Sequence, residues 1–170
     1  MSGPVVFLCT GNAARSVMGG AALAAHLPHW TISTAGTLVV EGQPMSWRTR
    51  AALEGVGLDA PLHRSRQATA AELAGAALVI GLAPEHVGWV RRTHPEAAAR
   101  TGTLRRLARD LAPPPPRLEA RVAALRLGQV ELEDWEEILD PGGGDAATFA
   151  ACALEVADLV ARLAPRLEAP

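Results

Sequence analysis

Apolar runs of strand length alternate with longer stretches of helical period along the chain. Three of these runs, at residues 5–8, 30–34 and 77–82, predict strands. The first and the third contain no polar side chain, which is typical of parallel strands that helices cover on both faces. A shorter apolar pair around Leu104 predicts either a fourth strand or a helical turn.

The stretches between these runs have the composition and the boundary residues of helices. Pro28 ends the segment that follows the first run, and Pro84 opens the segment that follows the third. Gly57 is a stop signal for the helix before it. The predicted helices cover residues 16–27, 46–56, 84–94, 117–127 and 146–167.

This alternation indicates an α/β fold with a parallel sheet. We predict three layers, α/β/α, around a central, mostly four-stranded parallel sheet of the flavodoxin-like or Rossmann-like kind. The chain has 170 residues, the size of one ordinary domain, so we expect residues 1–170 to form a single domain. The four prolines at residues 113–116 predict an extended surface segment within it.

The composition excludes several classes of protein. The formal net charge of -2 gives no support to nucleic acid or an acidic membrane surface as a partner. No apolar stretch reaches the ~20 residues that cross a bilayer, and the first residues do not resemble a signal peptide. Two cysteines are too few for a disulfide framework. We therefore expect a cytoplasmic protein.

The candidate chemistry lies in VVFLCTGNAARSVM, residues 5–18. Cys9 ends the first strand, and the loop behind it leads into a helix at Ser16. The backbone N–H groups of such a loop and the helix dipole form a cradle for an anion. Gly11 is expected to provide a backbone conformation with positive φ, and the small side chains of Ala13 and Ala14 leave the cradle open.

Cys9 and Arg15 have complementary roles in such a cradle. The planar guanidinium of Arg15 can hold two oxygens of a phosphate-like group. The positive surroundings favour the thiolate form of Cys9, which is an in-line nucleophile beneath a bound phosphoryl group. The leaving oxygen then needs an acid. Asp140 is the candidate, because it begins a loop with three glycines that can close over a site.

These residues resemble the low-molecular-weight protein tyrosine phosphatase family. Further matching segments follow in the order that the family has, along nearly the whole chain. The first stretch resembles the family signature, a cysteine and an arginine separated by five residues. The other segments that carry the resemblance are ISTAGT (32–37), GLDAPLHRSRQAT (57–69), ALVIGLAPEHVGWV (77–90) and ILDPGGGDAATFAACALEV (138–156).

The resemblance implies a phosphatase that hydrolyses phosphate monoesters, with phosphotyrosyl protein as the first expectation, through a phosphocysteine intermediate. Cys9 would be the nucleophile and Arg15 the phosphate clamp. Asp140 would protonate the leaving oxygen and then activate the water that hydrolyses the intermediate.

The resemblance also implies which residues surround the phosphate. Those expected to bind it are Thr10, Gly11, Asn12, Ala13, Ala14 and Ser16. Asn12 would hold the shape of the loop, and Ser16 would donate a hydrogen bond to the Cys9 sulfur. Thr34 and His63 would belong to a buried polar network around Asn12.

Cofactors and partners follow from the same chemistry. Arginine and backbone amides supply the charge, so we predict no metal and no cofactor. The expected partner is a phosphorylated protein or a small phosphate ester, with neither nucleic acid nor membrane. The chain is expected to be a monomer or a weak homodimer.

The chain departs from the family pattern in ways that bear on the substrate. Ala14 stands where many relatives carry a second cysteine, and Val17 replaces a proline. Gly142 and Gly143 follow Asp140, where relatives that act on phosphotyrosine have aromatic residues. A pocket without aromatic walls loses the stacking that favours an aryl phosphate.

Two alternatives stay open at this point. One is an arsenate reductase that uses an external small thiol, since such enzymes share this fold and cradle. The thioredoxin-coupled kind needs two further cysteines, and only Cys152 is present, on a predicted helix where a buried apolar role is favoured. The other is a regulatory module that binds phosphate without turnover. The presence of nucleophile, clamp and acid together argues against it.

Overall fold

The computed structural model describes residues 3–112 and 116–168. Its four strands form one parallel sheet with the spatial order β2-β1-β3-β4. They are β1 (Val5–Cys9), β2 (Ile32–Gly36), β3 (Leu78–Gly81) and β4 (Thr101–Thr103). This order confirms the flavodoxin-like α/β architecture that the alternating pattern predicts.

Seven α-helices occur among the described residues: α1 (Arg15–His26), α2 (Trp47–Gly55), α3 (Ala70–Gly75), α4 (Pro84–Thr93), α5 (Leu104–Asp110), α6 (Leu118–Ala124) and α7 (Ala146–Glu168). Two short 3-10 helices cover Pro95–Arg100 and Asp134–Glu136. Within residues 3–112 and 116–168, no helix has both the length and the apolar character needed to span a membrane.

Helices cover the sheet on both faces, because successive side chains of a strand point in opposite directions. Val5 and Phe7 pack into the core that α1, α2 and α7 share. Val6 and Leu8, the alternate residues of the same strand, pack into a smaller cluster with α3 and α4. Since both faces of β1 are buried, its uninterrupted apolar sequence is explained.

The predicted elements differ from the observed ones mainly at short segments. The two alternatives for the segment around Leu104, a fourth strand and a helical turn, both occur and follow one another, because β4 ends at Thr103 and α5 begins at Leu104. Helix α3 is not predicted and α5 is predicted only as a possible turn, since six and seven residues carry little periodicity. The predicted extended segment at 113–116 lies outside the described residues except for Pro116.

Candidate active site

The loop of residues 10–14 connects the end of β1 to α1, at the carboxyl edge of the sheet between β2 and β3. Ligands bind at this switch point in open α/β sheets. Ala14, the N-cap of α1, makes no side-chain capping hydrogen bond. The first amides of α1 are therefore left without a side-chain acceptor and can bind an anion.

The carbonyl oxygens of this loop are bound from its outer side. Backbone amides of Thr37 and Leu38 donate to the carbonyl oxygens of residues 9 and 10, at 3.0 and 3.1 Å. The hydroxyls of Ser65 and Thr49 donate to those of residues 12 and 13, at 2.8 and 3.2 Å. In a trans peptide the next N–H points opposite to the carbonyl. The amides of residues 10, 11, 13 and 14 therefore face the inside of the loop.

Asn12 is the residue that holds this loop in shape. It is fully buried and has a φ of 51°. Its Nδ2 donates to Ser16 Oγ and to Thr34 Oγ1, both at 2.9 Å. Its Oδ1 accepts from the amide of Arg66 at 3.0 Å, and its carbonyl oxygen lies 2.8 Å from His63 Nε2. Thr34 and His63 thus lie in the network around Asn12.

The expectation for Gly11 is wrong, because the positive φ of the loop belongs to Asn12 and not to the glycine. Asparagine tolerates the left-handed region better than most residues, and here hydrogen bonds at both side-chain atoms stabilise it. Burial lowers the pKa of His63. Its hydrogen bond to Asn12 acts in the opposite direction, and the positive charges of nearby arginines lower the pKa further. A neutral His63 donates one hydrogen bond to the loop carbonyl.

Cys9 ends β1 where the loop begins, and the residue is 3% exposed. Its Sγ is 2.9 Å from Ser16 Oγ, and the thiol donates to that oxygen. Asn12 Nδ2 donates to the same hydroxyl oxygen. The Ser16 proton is therefore free to be donated to sulfur once Cys9 is a thiolate.

Arg15 joins the loop to the segment that carries Asp140. Its side chain is 3% exposed, and Nη1 donates to the Ile138 carbonyl at 3.0 Å. Nη2 lies 3.6 Å from Asp140 Oδ2. The amide of Ile138 donates to Leu82 O at 3.0 Å, which attaches this segment to the end of β3. The structure thus brings Cys9, Arg15 and Asp140 together from opposite ends of the chain.

A cavity of about 280 Å³ opens above the loop. Its lining includes Cys9, Arg15 and Asp140 together with residues that the sequence did not indicate. The latter are Ser46, Thr49 and Phe149. Gly142 also lines it, as the departures from the family pattern suggest. The expectation of a pocket without aromatic residues is wrong at Phe149, although this side chain is only 7% exposed.

Ser46 and Thr49 reach the cavity because α2 begins beside the loop. Ser46 Oγ caps α2 by accepting from the Thr49 amide at 3.2 Å. Thr49 is 1% exposed, and its hydroxyl donates to the carbonyl of residue 13. Serine is a preferred N-cap residue, so Ser46 predicts a helix start, but it does not reveal which loop that start contacts.

His86 and Glu85, at the beginning of α4, also reach the loop. His86 is 1% exposed, and its Nε2 lies 3.0 Å from Thr10 Oγ1. Burial, with the positive charge of Arg15, lowers the pKa of His86 to about 3, so this imidazole is neutral. Glu85 Oε1 lies 3.4 Å from Thr10 Oγ1 and 3.9 Å from Arg15 Nη2.

Cys152 is buried on α7 and free. Burial raises its pKa to about 11, and the negative charge of Glu155 adds to the effect. The thiol is therefore protonated at neutral pH and is a poor nucleophile, which argues against its resolving an adduct on Cys9. Among the described residues, no group of three or more His, Cys, Asp and Glu side chains could hold a metal ion.

Comparison with known proteins identifies relatives over almost the whole length. A family model described as low molecular weight phosphotyrosine protein phosphatase matches residues 4–113. A protein-arginine-phosphatase of Geobacillus stearothermophilus is 28% identical over 165 residues, which are 96% of this chain and 95% of the relative.

Solved structures agree with that result. The YwlE arginine phosphatase from Geobacillus stearothermophilus has a TM-score of 0.77 at 28% identity, covering 98% of this chain and 93% of its own. The low molecular weight protein tyrosine phosphatase from T. tengcongensis has a TM-score of 0.75 at 25% identity, with 95% and 97% covered. The tyrosine phosphatase Wzb from Escherichia coli K30, at 22% identity, shares the fold with a TM-score of 0.78, with 98% and 99% covered.

Proposed function

The chain belongs to the low molecular weight phosphotyrosine protein phosphatase family, and on that premise we propose how its residues divide the reaction. It is a phosphoric monoester hydrolase of the cysteine-dependent kind. We assign the nucleophile to Cys9, the phosphate clamp to Arg15 and the acid and base to Asp140. Thr10, Gly11, Asn12, Ala13, Ala14 and Ser16 form or support the phosphate cradle.

In the first step the Cys9 thiolate attacks phosphorus from the side opposite the leaving oxygen. An S–P bond forms while the P–O bond breaks, and its electron pair goes to the leaving oxygen. Asp140, in its acid form, gives that oxygen a proton. Arg15 and the inward amides of residues 10, 11, 13 and 14 hold the charge that spreads over the equatorial oxygens.

In the second step water attacks the phosphocysteine. The Asp140 carboxylate accepts a proton from that water, the S–P bond breaks, and its electron pair returns to Cys9. Inorganic phosphate leaves the cradle. Ser16 supports both steps, because its hydroxyl, 2.9 Å from sulfur, stabilises the thiolate as nucleophile and as leaving group.

The observation that carries the proposal is the buried Arg15 guanidinium, which contacts the Ile138 carbonyl at 3.0 Å and Asp140 at 3.6 Å. The Arg15 side chain therefore belongs to the cradle and also positions the segment that carries Asp140. Phosphate binding alone would not require this link. The geometry supports turnover over a binding module.

The substrate is proposed as a phosphorylated residue of a protein. Phosphotyrosyl protein is the class that the family description names. Phosphoarginyl protein is a second candidate, because a protein-arginine-phosphatase is similar over 96% of this chain. The cavity also favours it, since Phe149 is the aromatic residue among the described lining residues and is largely buried.

The expectations about domain content, location, partners and oligomeric state remain part of this proposal. They are a single domain over residues 1–170, a cytoplasmic location, no nucleic-acid or membrane partner, and a monomer or weak homodimer. Sedimentation over a range of protein concentrations measures the last of these. Purified protein that sediments as a stable higher oligomer would contradict it.

The test is hydrolysis of a small aryl phosphate by the wild type and by the variants Cys9→Ser and Asp140→Ala. We expect turnover that Cys9→Ser abolishes and Asp140→Ala reduces, by the factor of about 10² to 10⁴ typical of a general acid. Wild-type turnover no higher than that of Cys9→Ser refutes the phosphatase assignment. Arsenate reduction with an added small thiol, without phosphate release, would support the arsenate reductase instead.

A further inference from the structure

A second carboxylate reaches the buried arginine of the active site. Glu85 Oε1 lies 3.9 Å from Arg15 Nη2, and the same nitrogen is 3.6 Å from Asp140 Oδ2. The side chains of Glu85 and Asp140 are 66% and 61% exposed, while that of Arg15 is 3% exposed. Two acids thus face the solvent beside one buried cation, and the mechanism above uses only Asp140.

The Glu85 carboxylate contacts Thr10 of the loop and the neighbouring His86. The Thr10 hydroxyl donates to Glu85 Oε1 at 3.4 Å, and His86 Nε2 is 3.4 Å from the same oxygen. His86 is buried, and its Nε2 also contacts the Thr10 hydroxyl at 3.0 Å. These contacts keep the negative charge of Glu85 next to the residue that follows the nucleophile.

The negative charge of Glu85 disfavours a phosphate ester whose leaving group is neutral. A phosphoryl dianion held by Arg15 is repelled by a carboxylate close to the same guanidinium. The neutral aryl group of phosphotyrosine does not offset that repulsion. A guanidinium group attached to the phosphoryl group does, because its N–H groups donate to carboxylates in charge-assisted hydrogen bonds.

We propose that Glu85 is a specificity residue that binds the guanidinium of a phosphoarginyl substrate at the mouth of the site. The inference rests on the proposed function and deepens its second substrate candidate. In the reaction, Cys9 forms the S–P bond and the P–N bond breaks. The departing nitrogen takes the electron pair and a proton from Asp140, so arginine leaves as a guanidinium. Water then hydrolyses the phosphocysteine as above.

The experiment compares two substrates in the variant Glu85→Gln. Glutamine keeps the shape and an acceptor for Thr10 but removes the charge. We expect kcat/KM for a phosphoarginyl peptide to fall by about tenfold, the loss of one hydrogen bond between charged groups. For p-nitrophenyl phosphate and a phosphotyrosyl peptide, kcat/KM should rise, because the charge that repels the phosphoryl dianion is removed.

The matched control is Glu119→Gln, which removes the same charge from an exposed position on α6. It should leave the ratio of the two activities unchanged. An equal loss on both kinds of substrate in Glu85→Gln, or no change on either, overturns the specificity role. So does a wild type that hydrolyses aryl phosphates with Cys9 but not the phosphoarginyl peptide. A wild type without any Cys9-dependent turnover would instead refute the proposed function.

Discussion

Substitution of Glu136 tests how the Asp140 segment is held. The Glu136 side chain is fully buried and accepts four hydrogen bonds. Thr103 Oγ1 and Arg106 Nε each donate to Oε1 at 2.8 Å. Arg106 Nη2 and the Glu133 amide donate to Oε2, at 2.9 and 2.7 Å. Two residues later, the Ile138 carbonyl accepts from Arg15, so this network anchors the segment that leads to Asp140.

We predict that Glu136→Ala lowers the free energy of unfolding by about 3–5 kcal/mol, because a buried arginine loses its main partner. Glu136→Gln should cost less, since the amide can still accept from Arg106. The matched control is Glu133→Gln, which removes a 52% exposed partner of the same arginine at 3.2 Å. It should cost less than about 1 kcal/mol, as exposed ion pairs do.

Urea denaturation measures these differences, and pH gives a further check. Burial by itself would raise the pKa of Glu136, but hydrogen bonds from Arg106, Glu133 and Thr103 hold it below its usual value of 4.5. The stability that the charge contributes is therefore present above pH 4.5 and is lost as pH falls through the lower folded value. The difference between wild type and Glu136→Gln should shrink in acid. Equal urea midpoints for Glu136→Gln and Glu133→Gln at neutral pH would refute this reasoning.

Three further predictions concern the loop and its surroundings. A Cβ on Gly36 would lie 2.4 Å from the Thr10 carbonyl oxygen, so Gly36→Ala should lower the free energy of unfolding by about 1–3 kcal/mol. The control Gly55→Ala should not lower it, because a Cβ on Gly55 would meet open space. Because burial and the Arg15 charge lower the pKa of His86 from 6.5 to about 3, the urea midpoint should fall with pH below 6.5, and His86→Asn should flatten that slope. Since burial raises the pKa of Cys152 to about 11, the native Cys9→Ser variant should resist iodoacetamide at neutral pH and react once unfolded; rapid labelling of the native variant would contradict this.

The cradle is the part of the site that could be predicted from sequence. Cys9, Arg15 and Ser16 lie within eight consecutive residues, and their geometry follows from a strand, a short loop and a helix in succession. The uninterrupted apolar runs of β1 and β3 likewise predicted a buried parallel sheet. Both are local properties of the chain, so periodicity and spacing are enough to indicate them.

The conformation of the loop could not be predicted in that way. Gly11 was the expected site of positive φ, yet Asn12 adopts it. The partners that stabilise Asn12 come from residues as far as 54 positions away along the chain. No local pattern states that Thr34, His63 and the amide of Arg66 will meet there, because only the packing of the sheet brings them together.

The sequence alone therefore indicated the cradle that contains Cys9 and Arg15, because these residues are neighbours in the chain, and it indicated the fold class through the alternation of strand and helix patterns. Tertiary structure decided what surrounds the cradle. It brought Thr49 and Phe149 to the cavity and put Glu85 next to Arg15, across 70 residues of sequence. The physical reason is that parallel strands end at one edge of the sheet, so loops that are distant in sequence converge there.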